Sequence, residues 1–202
     1  MIRLGITGGI GSGKSTIAQF LERLCQAAVL DADAISRQST APGGLAIPEL
    51  TRLGGTELMT PDGGMNRSLV RQLAFSDPTF RKNLESIIHP IVQAEMTRIE
   101  MECIARNTPL LIYDIPLLVE SGKWRGRLHQ VLVVDCSQET QIQRVQSRSK
   151  MQAEEVIAII HTQATRAHRL ACADIVVCND GISLLELEKQ CQQVSNILSC
   201  RN

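Results

Sequence analysis

The chain has 202 residues, enough for one α/β core with a small inserted subdomain. Hydrophobic residues make up 44% but aromatics only 2%, so the core must be built from Leu, Ile, Val and Ala. Lysine plus arginine equals aspartate plus glutamate at 21 each, which excludes a global pull toward nucleic acid or an acidic membrane surface and leaves anion binding to local clusters.

Residues 2–7 are a short apolar run fit for a buried strand. Gly8-Gly9-Ile10-Gly11-Ser12-Gly13-Lys14-Ser15 follows, with Thr16 behind it, and fits the phosphate-binding pattern G-x-x-x-x-G-K-[ST]. Ile17, Leu21 and Leu24 then recur at helical spacing. The motif thus sits in the context it requires: strand, glycine loop, helix. Glycines let the backbone fold around a phosphate with its N–H groups inward. The helix that starts at the loop turns its unpaired N–H groups and positive dipole end to the same anion. Lys14 can reach the β- and γ-phosphates, and Ser15 can offer its hydroxyl to Mg²⁺.

Residues 27–30 read as a second strand ending at Asp31-Ala32-Asp33, with Asp33 as N-cap of a helix to about residue 39. Ala41-Pro42-Gly43-Gly44 breaks it. Residues 45–67 are expected to be irregular, with turns at Gly54-Gly55 and Asp62-Gly63-Gly64 flanking a small hairpin or loop. Residues 66–75 are helical in pattern. Asp77-Pro78 opens a long helix to about residue 106, which Pro90 should break or kink near His89. Residues 110–115, 131–135 and 174–178 are strands. Ser137 caps a helix to about 148, residues 153–164 are helical with a further segment to 173, and a closing helix spans 183–198 with Leu184, Leu187, Cys191, Val194 and Leu198 on one stripe.

Apolar strands alternating with helices predict an α/β fold, a parallel sheet covered on both faces. The predicted organisation is a nucleotide-binding core of residues 1–40 and 107–202, including a lid at about 140–170, and a helical substrate-binding insertion at 41–106. Seven cysteines, Cys25, Cys103, Cys136, Cys172, Cys178, Cys191 and Cys200, form no C-x-x-C pair and are odd in number. They read as reduced thiols of a cytoplasmic protein rather than a metal or disulfide framework. No apolar run reaches the ~18 residues of a membrane span, and no signal peptide is visible.

The loop binds a triphosphate without saying what becomes of it. A small-molecule kinase, a hydrolase or switch, and a passive nucleotide-binding module compete. The place comparable to a base-reading N-K-x-D element, Cys178-Asn179-Asp180-Gly181, lacks the lysine and the spaced aspartate. A kinase needs a carboxylate near the acceptor hydroxyl and arginines closing over the phosphates. Asp31 and Asp33, expected beside the glycine loop, can supply the first. Arg144 with Arg148, and Arg166 with Arg169, share helix faces and can supply the second. Asp114, at a strand end, is a candidate for holding Mg²⁺.

These residues, with their order and spacing, resemble the dephospho-CoA kinase family over nearly the whole chain. The resemblance includes the run from Thr7 to Thr16, Asp31-Ala32-Asp33 with Arg37, Phe75, Ile88-His89-Pro90-Ile91 and Pro116-Leu117-Leu118-Val119-Glu120. It continues through Val133-Val134-Asp135, Gln141, Arg144, Arg148, Gln163-Ala164-Thr165-Arg166, Ala173-Asp174 and Asn179. It implies a P-loop kinase that moves the γ-phosphoryl of ATP to the ribose 3′-hydroxyl of dephospho-CoA, as a monomer or weak homo-oligomer. It implies Asp33 as base or hydroxyl-orienting group, and Gly11, Ser12, Gly13, Lys14, Ser15 and Thr16 on ATP, with Ser15 on Mg²⁺. Thr7, Arg67, His89, Pro116, Leu117 and Leu118 would face the acceptor, and Arg144 and Arg148 would belong to the lid. The chain departs from the family pattern at Asn66 (often Asp), Ser149 (often Asp) and Ile159 (often Arg). The alternatives are a module without catalysis and a kinase of another small acceptor such as a nucleoside monophosphate.

Overall fold

The computed structural model describes residues 1–115, 117–122 and 124–199. Five strands, β1 (Ile2–Gly8), β2 (Ala28–Asp31), β3 (Leu110–Asp114), β4 (Gln130–Asp135) and β5 (Ile175–Cys178), form one sheet in the order β2-β3-β1-β4-β5. β1 runs parallel to β3 and β4, and β4 to β5, with Ile6 level with Asp114 and Thr7 with Val133. β3 and β4 are buried at every position, which is why they read as unbroken apolar runs: a sheet covered on both faces needs no polar alternation.

On one face, α1 (Lys14–Cys25) and α10 (Leu184–Ser199) close a core of Leu4, Ile6, Ile112, Leu132, Leu21 and Cys191. On the other face lie α6 (Leu118–Ser121) and α9 (Arg166–Ala171). There Leu118 and Leu128 fill the space above Gly5, where an added Cβ would stand 2.7 and 2.5 Å from their methyl carbons. The single tryptophan, Trp124, is half-buried against Tyr113 with ring centroids 6.1 Å apart. Two further helices, α7 (Gln138–Ser149) and α8 (Ala153–Thr162), lie between β4 and α9 in the chain.

The chain divides into two compact units, Met1–Leu30 with Cys103–Asn202, and Asp31–Glu102. The second contains α2 (Ala32–Ser39), α3 (Ile47–Gly54), α4 (Arg67–Ser76) and nearly all of α5 (Pro78–Ala105). Helix α3 was not expected in the region read as irregular. Pro48 takes a first-turn position, where its missing N–H costs nothing, and Leu50 is fully buried. The expected hairpin forms beyond it as a bridge between Met59 and Met65, closed by Thr60 N–H donating to the Gly64 carbonyl at 2.7 Å. Of the expected break or kink at Pro90, the break does not occur: helix α5 runs on through Pro90. Ser86 and Pro90 are both exposed, so the Ser86 carbonyl that loses its helical partner is left to water. Asp31, not Asp33, caps α2: its Oδ1 accepts the Ala34 N–H at 2.8 Å. Leu184 falls off the expected stripe and is exposed, because it opens α10 before the helix meets the core.

Among the described residues no helix is long and apolar enough to cross a membrane, and no group of three or more His, Cys, Asp or Glu could hold a metal ion. Cys25, Cys103, Cys136, Cys172, Cys178 and Cys191 are free thiols, while Cys200 lies outside the described residues. Burial pushes the Cys136 thiol up and the Cys191 thiol up to about 11. In native protein at pH 8, iodoacetamide is therefore expected to alkylate exposed Cys178 at least ~100-fold faster than Cys191, read by mass spectrometry; equal rates would contradict this packing. Leu21→Ala is expected to lower unfolding free energy by about 2–5 kcal/mol in urea titration, since Leu21 is fully buried between the sheet and α10.

Candidate active site

The glycine loop leaves β1 at Gly8 and enters α1 at Lys14. Gly13 is the N-cap of α1 at φ 95°, a left-handed conformation that L side chains rarely adopt, and no side chain caps the helix. Ser12 N–H turns back to the Gly9 carbonyl at 3.1 Å, and the Thr16 and Ile17 N–H groups to the Gly13 carbonyl. The N–H groups of Gly11, Gly13, Lys14 and Ser15 find no acceptor among the described residues. Unspent donors at a helix start, in a loop without a capping side chain, fit a polyphosphate.

Side chains from remote parts of the first unit grip this loop. The Asn179 amide, 5% exposed on the turn after β5, donates to the Ser12 carbonyl at 2.7 Å. Arg144 on α7 donates to the same carbonyl at 3.3 Å and to Asn179 Oδ1 at 3.2 Å. A Cβ on Gly13 would stand 2.3 Å from Asn179 Nδ2, so this glycine is required by close approach as well as by φ. Gln163 Oε1 accepts the Ile10 N–H at 3.0 Å, and the Gln141 side chain covers Gly9. Gln141 and Gln163 also line a cavity of about 510 Å³ with His161, Thr165, Arg166 and Arg169. Beside it, Asp180 is held by Thr140 and by the N–H and hydroxyl of Ser137, bonds that keep its carboxyl below the usual range.

Of the residues singled out in the sequence, Gly11, Ser12, Gly13, Lys14, Ser15, Thr16 and Arg144 gather at this loop. Lys14 is half-buried and forms no ion pair or hydrogen bond among the described residues, which leaves its charge for an anion. The Ser15 hydroxyl is in the exposed first turn of α1 and suits a metal that keeps most of its water. Arg148, one turn beyond Arg144, is exposed and unpaired among the described residues. Arg166 is committed to Asp135 through two bonds of 2.8 and 2.6 Å, and Arg169, 6% exposed, donates to the Ala164 carbonyl. The two arginines of the expected phosphate clamp are thus both engaged within their own unit, and both line the cavity that Gln141 and Gln163 border.

Thr7 is fully buried in β1, and Leu118 is 4% exposed over Gly5. Strand β2, expected beside the glycine loop, is at the sheet edge with β3 between it and β1. Pro116 lies outside the described residues, and Leu117 is half exposed. Asp114 ends β3 and is 8% exposed.

In the second unit, Asp31 takes the cap of α2 and reaches Arg37 at 3.4 Å, while Asp33 is exposed in the first turn with no partner among the described residues. Arg67 donates to the Arg37 carbonyl at 3.0 Å and to Thr40 Oγ1 at 2.8 Å, bracing the end of α2 against the start of α4. Asn66 caps α4 on the Leu69 N–H, a task either Asn or Asp can perform. His89 is exposed on α5.

A glycine loop at the C-terminal end of β1, opening a helix in a 2-3-1-4-5 sheet, defines a P-loop kinase. A family model described as dephospho-CoA kinase matches residues 2–184, and the chain belongs to that family. It is 47% identical over 203 residues to dephospho-CoA kinase of Albidiferax ferrireducens, covering 100% of this chain and 95% of the relative. It is 47% identical over 182 residues to that of Cupriavidus pinatubonensis, covering 90% and 87%. A crystal structure from Thermus thermophilus superposes with a TM-score of 0.77 at 36% identity, covering 98% and 96%. Dephospho-CoA kinase from Campylobacter jejuni (TM-score 0.72, 22% identity, covering 99% and 98%) is similar in fold. So is shikimate kinase from Acinetobacter baumannii (0.56, 17%, covering 98% and 94%).

Gly13→Ala is expected to weaken MgADP binding at least ~10-fold by calorimetry, because the strained residue can relax only by pulling the loop off Asn179. Unchanged affinity would contradict the cradle.

Proposed function

We propose that this chain transfers the γ-phosphoryl group of ATP to the ribose 3′-hydroxyl of dephospho-CoA, giving ADP and CoA, the last step of CoA assembly. Membership of the dephospho-CoA kinase family over residues 2–184 carries this reading. The unspent N–H donors of the loop and the unpaired charge of Lys14 support the donor half.

Gly11 to Thr16 hold the ATP phosphates, with Lys14 against the β- and γ-oxygens, where charge spreads during transfer. Ser15 would hold Mg²⁺, with Asp114 as a further candidate, and the ion would supply charge neutralisation during transfer. Arg144, already fixed by Ser12 and Asn179, and the free Arg148 close over the triphosphate. Asp33 orients the acceptor hydroxyl and takes its proton. That role is compatible with its surroundings, because Asp31 does the capping and Asp33 keeps an uncommitted carboxylate. Thr7, Arg67, His89, Leu117 and Leu118 contact the acceptor. We assign acceptor binding to the helical segment 41–106 and donor binding to 1–40 and 107–202, with the lid at about 140–170.

Incubation with MgATP and dephospho-CoA is expected to yield ADP and CoA in equal amounts. Acceptor-independent ADP, turnover with a nucleoside monophosphate instead, or ATP binding without turnover would overturn the assignment. Asp33→Asn is expected to lower kcat by roughly 10²–10⁴ while ATP affinity stays within about threefold. Lys14→Ala is expected to lower kcat/KM for ATP by about 10²–10³.

A further inference from the structure

Between α8 and α9 the chain passes through Gln163, Ala164 and Thr165. This short link is tied from three sides within the first unit. Gln163 Oε1 accepts the Ile10 N–H of the glycine loop at 3.0 Å. Glu120 on α6 accepts the Ala164 N–H through Oε1 at 2.7 Å, 44 residues away in sequence. Buried Arg169 donates to the Ala164 carbonyl. Thr165 then starts α9 by capping the His168 N–H.

The Ile10 bond differs in kind from the rest of the loop. The cradle donors begin at Gly11, and Ile10 N–H is turned instead into a side-chain acceptor. That bond fixes the plane of the Gly9–Ile10 peptide and so the angle at which the chain enters the cradle, since φ and ψ are its only soft coordinates. Gly9 on the same peptide is pressed under Gln141: a Cβ there would stand 2.8 Å from Gln141 Oε1. The front of the loop is thus held by Gln163 and covered by Gln141, as the back is held by Arg144 and Asn179. Glu120 is exposed and Gln163 only half-buried, so neither contributes much to the core.

We propose that Gln163 is a positioning residue for phosphoryl transfer, acting on the glycine loop through the Ile10 N–H, and that Glu120 acts behind it by holding the backbone of the α8–α9 link. Through these two bonds the end of α8 and the ATP-holding loop keep a fixed relation. The kinetic arm of the test rests on the kinase reading; the exchange arm does not.

Hydrogen–deuterium exchange in the full chain without nucleotide is expected to show faster exchange at Ile10 in Gln163→Leu, which removes the acceptor at similar volume. Protection is expected to persist in Gln163→Glu, which keeps an acceptor oxygen. In steady-state assays Gln163→Leu is expected to raise KM for ATP about tenfold, with KM for dephospho-CoA moving less than about twofold. Glu120→Gln, which still accepts, is expected to match the parent, and Glu120→Ala to share the ATP defect. The double variant Gln163→Leu/Glu120→Ala is expected to be no worse than Gln163→Leu alone, the mark of residues acting in series. Parent-like exchange and ATP KM in Gln163→Leu would overturn the proposal, as would additive single effects. So would equal rises in both KM values with a fall in melting temperature. Absence of acceptor-dependent ADP from the parent would instead remove the kinase reading, and the exchange comparison would still decide the role of Gln163.

Discussion

The Ser12 carbonyl is the fixed point of the first unit. It accepts from Asn179 and Arg144, residues 167 and 132 positions away in sequence. A parallel sheet places the C-terminal ends of β1, β4 and β5 on one edge, so the loop after β1, the helix after β4 and the turn after β5 meet there. Pinning that carbonyl turns the following N–H groups the other way, into the space a phosphate would fill. It also brings Asn179 so near Gly13 that no side chain fits between them. The glycines, the orphan donors and the uncommitted lysine are consequences of one backbone path held from outside.

Much of this was legible in the sequence, for physical reasons. β3 and β4, buried on both faces, appear as unbroken apolar runs, β1, β2 and β5 as short apolar runs between helices, and the glycine loop has fixed spacing between a strand and a helix, so the five strands and the loop could be read. Helix α3 could not, because a proline at its start and glycines at its end look like breakers until the helix is known to begin there. Asp31 and Asp33 are equally good caps by type, and the choice turns on where β2 stops. Strand order leaves no local mark, so β2 was expected one position too close to β1. Long-range polar contacts leave none either. Asn179, Gln141 and Gln163 carried a family resemblance but no pattern to say that they touch the loop, and helical spacing paired Arg169 with Arg166 without showing that Arg169 is buried.

The second unit separates structural from uncommitted polar groups in the same way. Asp31 caps a helix, Asn66 caps another, and Arg67 joins α2 to α4 through a carbonyl and a hydroxyl. Asp33 lies among these and does none of that work. A carboxylate that can be replaced without uncapping a helix is one whose substitution reports on chemistry rather than on folding.

Scarcity of aromatic residues has a practical side. Trp124 is the only indole in the chain, and it is half-buried against Tyr113 at the end of β3, three residues past the last turn of α6, the helix that carries Glu120. Its emission is therefore a single-site optical gauge of this one corner of the sheet. Energy passed from Tyr113 over 6.1 Å makes the corner readable in the native chain without any added label.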